Sequence, residues 1–511
     1  MKSFLIKNLP LASILFIAAI LRFWNLGVNP PGLFVDEVSN GYNAYSIIKT
    51  GRDEYGNFMP LTFKAFGDYN LALSVYILVP SIAVFGLNEF AVRFPSALLG
   101  TLTVLLTYFL TKQLFKSGSS FIAHHSSQKN VALVAAFFLA ISPWHLQFSR
   151  YDHEANFMLF FSILAITCFI YSHKKYPLLI LSAISFGLAL NTYHGAKIWI
   201  PLFLLCIFYW FKKEIISFKF KLLLPFIILA VFALPIIFNI QRSLVRGQSV
   251  WIIGKDNQIT AFVSGYLSHF SPNFLFTNGD SIGRHAVPGM GELYVFEFPT
   301  IVLGLLALIT AKTRNTKFLL TWLLIAPIPA TLATPVPHAL RAITFLPVWS
   351  IVASYGLKSF ISSKIAKKLK LSLIFAVTSI GLYNFITYLH LYYNHYPKLN
   401  ARDWSDGCAE VATYAAQVKD QYEVIAVNEQ KGCPYIYFLF YGKYDPKAYH
   451  PQSHDKKKFD KYEFFSESWE KKTTGIALLI RPEWQIPNPP PKYLKFVYTK
   501  NNELVFRISE E

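Results

Sequence analysis

A polytopic bundle of transmembrane helices followed by a small extracytoplasmic α/β domain is the mostly α fold that the sequence predicts. Three observations predict it. Of 511 residues, 53% are hydrophobic, 17% aromatic and only 15% charged, which is too apolar for a soluble chain of this size. Apolar runs, each about 14 to 20 residues long, recur from Leu9 to Leu389 and give way near Tyr392 to a charged, mixed pattern. The net charge of +19 is also unevenly placed: residues 1–390 carry 31 Lys+Arg against 13 Asp+Glu, and the remainder carries 17 against 16. An excess of cations confined to the apolar part points to membrane topology and away from nucleic acid. The expected domains are therefore 1–390 and 391–511.

Twelve apolar segments begin near Leu9, Tyr69, Ala91, Val131, Asn156, Tyr176, Ile198, Leu222, Thr300, Phe318, Ala342 and Leu371. The connections richest in lysine should face the cytoplasm, as should Lys2 and Lys7. They do so together only if Tyr69–Leu87, which contains Pro80, lies in the outer interface instead of crossing. This predicts eleven spans, a cytoplasmic N-terminus and an extracytoplasmic C-terminal domain in the plasma (cell inner) membrane. Nineteen basic residues and one acid, Glu214, then fall inside, and twelve of the thirteen carboxylates of residues 1–390 fall outside.

Two outer loops, 28–90 and 241–298, are long, and long loops in a compact domain tend to carry function. The first opens with "GLFVDEVSNGYNAYSIIKTG". Asp36 stands where a helix would start, with Val38, Tyr42, Tyr45 and Ile48 on one stripe and Gly51 as the stop. An Asp N-cap on an amphipathic interfacial helix is one reading of that pattern, and a catalytic carboxylate is the other. Asp53 and Glu54 in "GRDEYGN" read as a solvated turn. Asp68, at the edge of a membrane-associated segment, reads either as a helix cap or as a candidate for catalysis, substrate or metal.

The shorter outer loops add "FSRYDHEAN", with Arg150, Asp152, His153 and Glu154, "NTYHGAKIW", with His194 and Lys197, and "TPVPHALRAI", with His338 and Arg341. The second long loop adds Arg284 and His285. Interfacial Arg and Lys either snorkel or clamp an anion such as a phosphate headgroup. Cys408 and Cys433 can pair if the tail is extracytoplasmic. No P-loop, GxGxxG, HExxH or paired CxxC occurs in the sequence, which removes support for a nucleotide-driven pump or a zinc protease.

The "VDE" of the first outer loop, the long phrase from "GDYNLALSVY" through "AVRFPSALLG" to "TKQLF", and "SPWHLQFSRYDHEANF" together resemble polytopic glycosyltransferases of the GT-C class. Within it they are most similar to the protein O-mannosyltransferase and aminoarabinose (lipid A) transferase group. The similarity covers about residues 9–390 and is strongest over the first 160. It implies sugar transfer from a polyprenyl-phosphate donor to a protein, lipid or glycan acceptor at the outer face, with inversion. The family's acidic motif falls on Asp36 and Glu37, and its arginine falls on Arg93. Phe94 stands where Leu is more usual. Where the aminoarabinose transferases tend to read "KPP" this chain reads "GDYN", so lipid A is not carried over as acceptor.

Asp36 and Glu37 are then the expected catalytic carboxylates, Asp36 as the base or orienting the acceptor, with Glu37 and Asp68 lining the site. Arg93, Lys197 and Arg341 are expected to grip the donor phosphate, and Arg150, Asp152, His194, Arg284, His285 and His338 to complete substrate binding. Whether a divalent cation takes part stays open; Asp36, Glu37 and Asp68 would be its ligands. A lipid-linked glycan flippase or other transporter is the competing class. The tail's "DGCAEVATYAAQVK", "YEVIAVNE", "GIALLIR" and "YLKFVYTKNNELVFRIS" predict a helix, two strands and a hairpin turning at Asn501-Asn502.

Overall fold

The computed structural model describes residues 2–66, 68–116, 125–238, 257–470 and 474–511. These residues are mostly helical, with a β-sheet near the C-terminus. They form two compact units, one of residues 1–24 and 96–391 and one of residues 25–95 and 392–511. The first long outer loop, however, was expected to belong with the spans, and it groups with the tail instead.

Among the described residues, four helices have the length and hydropathy to cross a bilayer: Glu89–Leu114, Glu154–Tyr171, Lys219–Phe238 and Lys367–Leu399. Shorter apolar helices include Asn8–Phe23, Gln128–Ile141, Pro177–Leu190 and Val295–Ala311. The helices Phe298–Ala311 and Leu346–Ile361 approach backbone to backbone, because a Cβ on Gly304 would strike the Val352 carbonyl and one on Gly356 would strike that of Thr300. Without a hydrophobic gain between helices in lipid, such close packing of small residues supplies the attraction. Residues 239–256, the start of the expected loop 241–298, lie outside the described residues.

The second unit begins with the helix Val35–Thr50 and the hairpin β1 (Thr62–Ala65) and β2 (Asp68–Leu71), followed by the helix Ala72–Phe85. That last helix, with Pro80 inside it, has 14 residues. At 1.5 Å per residue it is about 21 Å long, short of the roughly 30 Å hydrocarbon layer.

The tail supplies a six-stranded mixed sheet in the order β4-β5-β3-β6-β8-β7. Its strands are β3 (Val424–Asn428), β4 (Lys458–Phe459), β5 (Tyr462–Phe465), β6 (Ala477–Pro482), β7 (Tyr493–Tyr498) and β8 (Leu504–Glu510). Strand β3 runs parallel to β5 and β6, and β8 runs antiparallel to β6 and β7. Every residue of β6 is buried, as a central strand covered on both faces requires. The β7–β8 hairpin turns where Asn502 takes a left-handed conformation, as the Asn-Asn pair predicts. Cys408, at the start of the helix Cys408–Val418, is disulfide-bonded to Cys433, with a Cα–Cα distance of 5.5 Å.

Candidate active site

In the second unit, the "VDE" stretch starts a helix, but not at the residue expected. The N-cap is Phe34, which places Asp36 and Glu37 in the first turn, where the helix dipole favours negative charge. Phe34 has no polar side chain to cap with. Glu37 compensates by reaching back, and its Oε2 accepts the Phe34 backbone N–H at 3.0 Å. Gly51 ends the helix in the left-handed conformation, donating its N–H to the Ile47 carbonyl at 2.8 Å.

The expectation of an amphipathic interfacial helix also needs correction. Residues 37 to 44 are buried all round, polar ones included, and their polar side chains find partners within this unit. Asn70 donates to Asn40 at 3.2 Å, the Glu54 N–H donates to Asn43 at 2.9 Å, and Ser46 lies 3.3 Å from His450 Nε2.

Glu37 and Arg93 form an ion pair with both side chains out of solvent. Arg93 Nε donates to Glu37 Oε1 at 3.0 Å and Nη2 to Oε2 at 3.2 Å, the bidentate geometry that only a guanidinium offers. Nη1 donates to the Pro30 carbonyl at 2.8 Å and the Leu26 carbonyl at 3.3 Å, and Nη2 also donates to the Gly32 carbonyl. A guanidinium has five N–H donors, and these five bonds use them all. Arg93 therefore has none to give a phosphate, which corrects its expected role. It ties the chain entering the helix to Glu37. Its positive charge also opposes a cation at Glu37. Asp36 lies half-buried next to this clamp. The side chain of Asp68 lies outside the described residues, and its backbone pairs with Ala65 in β2.

Asp53 and Glu54, read as a solvated turn, are both buried. The Asp53 carboxylate accepts the N–H groups of Tyr55 and Asn57 and the Asn57 side-chain amide, all within 2.9 Å. The Tyr435 hydroxyl is 3.2 Å from both oxygens of Glu54. Burial pushes the Glu54 carboxyl up to about 7. The Lys456 ammonium stands 4.9 Å from the Tyr55 ring centre, 5.0 Å from that of Tyr435 and 5.3 Å from that of Phe66.

In the first unit, the other motif residues converge on the loop ends. Arg150 is buried and donates to the carbonyls of Leu21, Arg22 and Trp24 at 2.7, 3.1 and 2.7 Å. It thereby satisfies the C-terminal end of the helix Lys2–Phe23, a structural use of a cation expected to bind substrate. Asp152 is buried in the following loop. His153 caps the helix Glu154–Tyr171 by accepting the Ala155 N–H at 3.2 Å. Its ring lies 6.0 Å from that of Tyr193, in the loop that also holds His194. Lys197 Nζ is 3.1 Å from His194 Nδ1 at the start of the helix Ala196–Ser217.

His285 and His338 are brought together, their rings 4.8 Å apart, although 53 positions separate them in sequence. Asp280, which the sequence reading passed over, lies between them. Its Oδ2 is 2.9 Å from His285 Nδ1 and 3.9 Å from His338 Nδ1, and all three residues are buried. The signal for it was a carboxylate five positions before His285, in a loop too rich in Gly, Pro and Asn to span a membrane. Arg284 is half-buried, and its carbonyl accepts from Gln147 at 2.7 Å. Arg341 donates through Nη1 to the carbonyls of Ala333 at 3.0 Å and Thr334 at 2.9 Å.

The profile of the family described as Dolichyl-phosphate-mannose-protein mannosyltransferase matches residues 12–248, just under half of the sequence. No curated protein sequence matches the chain significantly. Among solved structures, ArnT from Cupriavidus metallidurans in the apo state superposes with a TM-score of 0.57 at 11% identity, covering 99% of this chain and 98% of that one. The same protein bound to undecaprenyl phosphate gives a TM-score of 0.55 at 12% identity, covering 98% of each chain. The archaeal oligosaccharyltransferase AglB from Archaeoglobus fulgidus, in complex with an inhibitory peptide and a dolichol-phosphate, gives 0.52 at 14% identity over 86% of this chain. The chain spans 64% of the length of that relative. At such identities the likeness is one of fold. The chain has the mostly helical GT-C fold of a multi-pass membrane protein, and it resembles the O-mannosyltransferase and ArnT group of polytopic glycosyltransferases.

Proposed function

We propose that this chain is an integral-membrane glycosyltransferase that moves a sugar from a polyprenyl-phosphate donor to a protein, lipid or glycan acceptor, with inversion, at the outer face. The observation that carries the reading is the placement of Asp36. It stands in the first turn of a helix whose start is fixed by the Glu37–Arg93 ion pair, half-buried and beside that pair. The matches to the mannosyltransferase profile and to an ArnT structure bound to undecaprenyl phosphate support the donor class.

In the proposed step the acceptor hydroxyl oxygen attacks the anomeric carbon from the face opposite the phosphate. The bond from that carbon to the phosphate oxygen breaks, and its electron pair leaves with the polyprenyl phosphate. Asp36 takes the hydroxyl proton, the task of a general base. Glu37 positions the turn that presents Asp36 and does not itself take part. The departing phosphate calls for cationic stabilisation. Lys197 and Arg341 remain the candidates, on residue type alone, and Arg93 is withdrawn because its donors are used.

The disulfide between Cys408 and Cys433 favours an oxidising compartment for the second unit, in keeping with an extracytoplasmic C-terminal domain and a cytoplasmic N-terminus. The test is transfer of radiolabelled sugar from polyprenyl phosphate to an endogenous acceptor by the purified chain in lipid. Covalent, donor-dependent labelling of the acceptor is expected. Movement of the lipid-linked sugar across the bilayer without any labelled acceptor would overturn the reading.

A further inference from the structure

Asp280, His285 and His338 bring one carboxylate oxygen and two imidazole nitrogens within 4.8 Å of one another in the interior of the first unit. Bound to zinc at about 2.0–2.1 Å, neighbouring tetrahedral ligands stand roughly 3.3 Å apart. The distances here, 2.9 Å from His285 and 3.9 Å from His338 to the shared Asp280 oxygen, bracket that value, so small side-chain rotations suffice.

We infer that Asp280, His285 and His338 form a binding site for a zinc-class divalent cation.

The surroundings have the features of such a site. The carboxylate is aimed by the backbone: the Ile282 N–H donates to Oδ1 at 2.9 Å and the Ala339 N–H to Oδ2 at 2.7 Å. Outer hydrogen bonds of this kind orient metal ligands. The His338 backbone N–H donates to His269 Nε2 at 3.1 Å, and His269 Nδ1 is fixed 2.7 Å from the Gly265 carbonyl, which holds the His338 segment in place.

Two imidazoles and one carboxylate match zinc and similar transition-metal ions better than magnesium or calcium, which favour oxygen.

The charge balance has two sides. Arg284 and Arg341 both face His285 and disfavour a cation. Against them stands Glu292, fully buried, whose Oε1 accepts the Asp280 N–H at 2.9 Å. Binding through Nδ1 would also replace the His285–Asp280 hydrogen bond, with the ring proton then carried on Nε2.

The test uses the full-length chain without a polyhistidine tag, stripped with chelator and then given zinc or cobalt alone. One zinc per chain by elemental analysis is expected, with a rise in thermal midpoint on zinc addition and the intense visible bands of four-coordinate cobalt. His285→Gln and His338→Gln should each weaken zinc binding at least about tenfold. Absence of a stoichiometric metal, or a cobalt spectrum of the native chain without those bands, would overturn the inference. So would undiminished zinc binding in the double variant. The cobalt measurement on the native chain decides the matter even if the variants fail to fold. None of these readouts depends on sugar transfer, so failure of the transferase reading would leave them standing.

Discussion

Arg93 holds Glu37 with a bidentate pair and spends its remaining donors on three backbone carbonyls. Removing one partner of such a pair leaves the other charged and buried, which costs about 3–5 kcal/mol. Arg93→Met should therefore lower the thermal midpoint of the purified protein sharply. Arg93→Lys should recover little, because an ammonium cannot supply five donors in a planar fork. A Lys variant with native stability would show that the hydrogen-bond geometry matters less than the charge.

Glu54 makes a second prediction at this scale. Its carboxyl is raised from 4.5 to about 7 in the folded protein, so the folded state holds the proton more tightly than the unfolded chain. Its contribution to stability is thus greatest below about pH 4.5 and is lost as pH rises to about 7, a change of about 3 kcal/mol over that window. Glu54→Gln should flatten this part of the curve of thermal midpoint against pH. An unchanged slope would contradict the assignment. The sequence hid this residue, since "GRDEYGN" has turn chemistry locally and its burial comes from Tyr435, 381 positions away.

At the scale of elements, the helix beginning at Val35 was legible in its existence and its Gly51 stop, but not in its first residue. Glu37 caps the Phe34 N–H because Arg93, 56 positions on, fixes its carboxylate. A local pattern of Asp before an apolar stripe does not reveal so distant a partner. The C-terminal hairpin was legible for the opposite reason, because Asn502 adopts its left-handed turn locally.

The crossing of Phe298–Ala311 with Leu346–Ile361 depends on absent side chains at Gly304 and Gly356. Gly356→Leu should push these helices apart and yield aggregated or unfolded protein on size exclusion in detergent. A well-folded variant would contradict the close approach. The Cys408–Cys433 bridge closes 25 positions of chain, and the chain-entropy relation gives about 3.5 kcal/mol for such a loop. Cys408→Ser, or reductant, should lower the stability of the second unit accordingly, read by limited proteolysis.

For the whole molecule, composition alone was enough to predict a polytopic membrane protein with a C-terminal α/β part, because bilayer thickness and the pairing of every backbone polar group limit the choices. Composition did not reveal that residues 25–95 pack with the tail, since both segments are mixed in pattern and their affinity lies in side-chain pairs such as Tyr435 with Glu54 and Tyr437 with the Leu33 carbonyl. Asp36 was legible as a motif residue, whereas the different fates of its neighbours were not. Glu37, Arg93 and Arg150 are held by pairs and carbonyls that only tertiary structure assembles.

The central claim is that Asp36 takes the acceptor's proton. It is tested most directly by the initial rate of sugar transfer from a polyprenyl-phosphate donor, measured on native chain and Asp36→Asn in the same lipid. A loss of roughly 100-fold or more, with thermal midpoint and donor binding retained, is the expected result. Transfer by the variant within a few-fold of native would contradict the account.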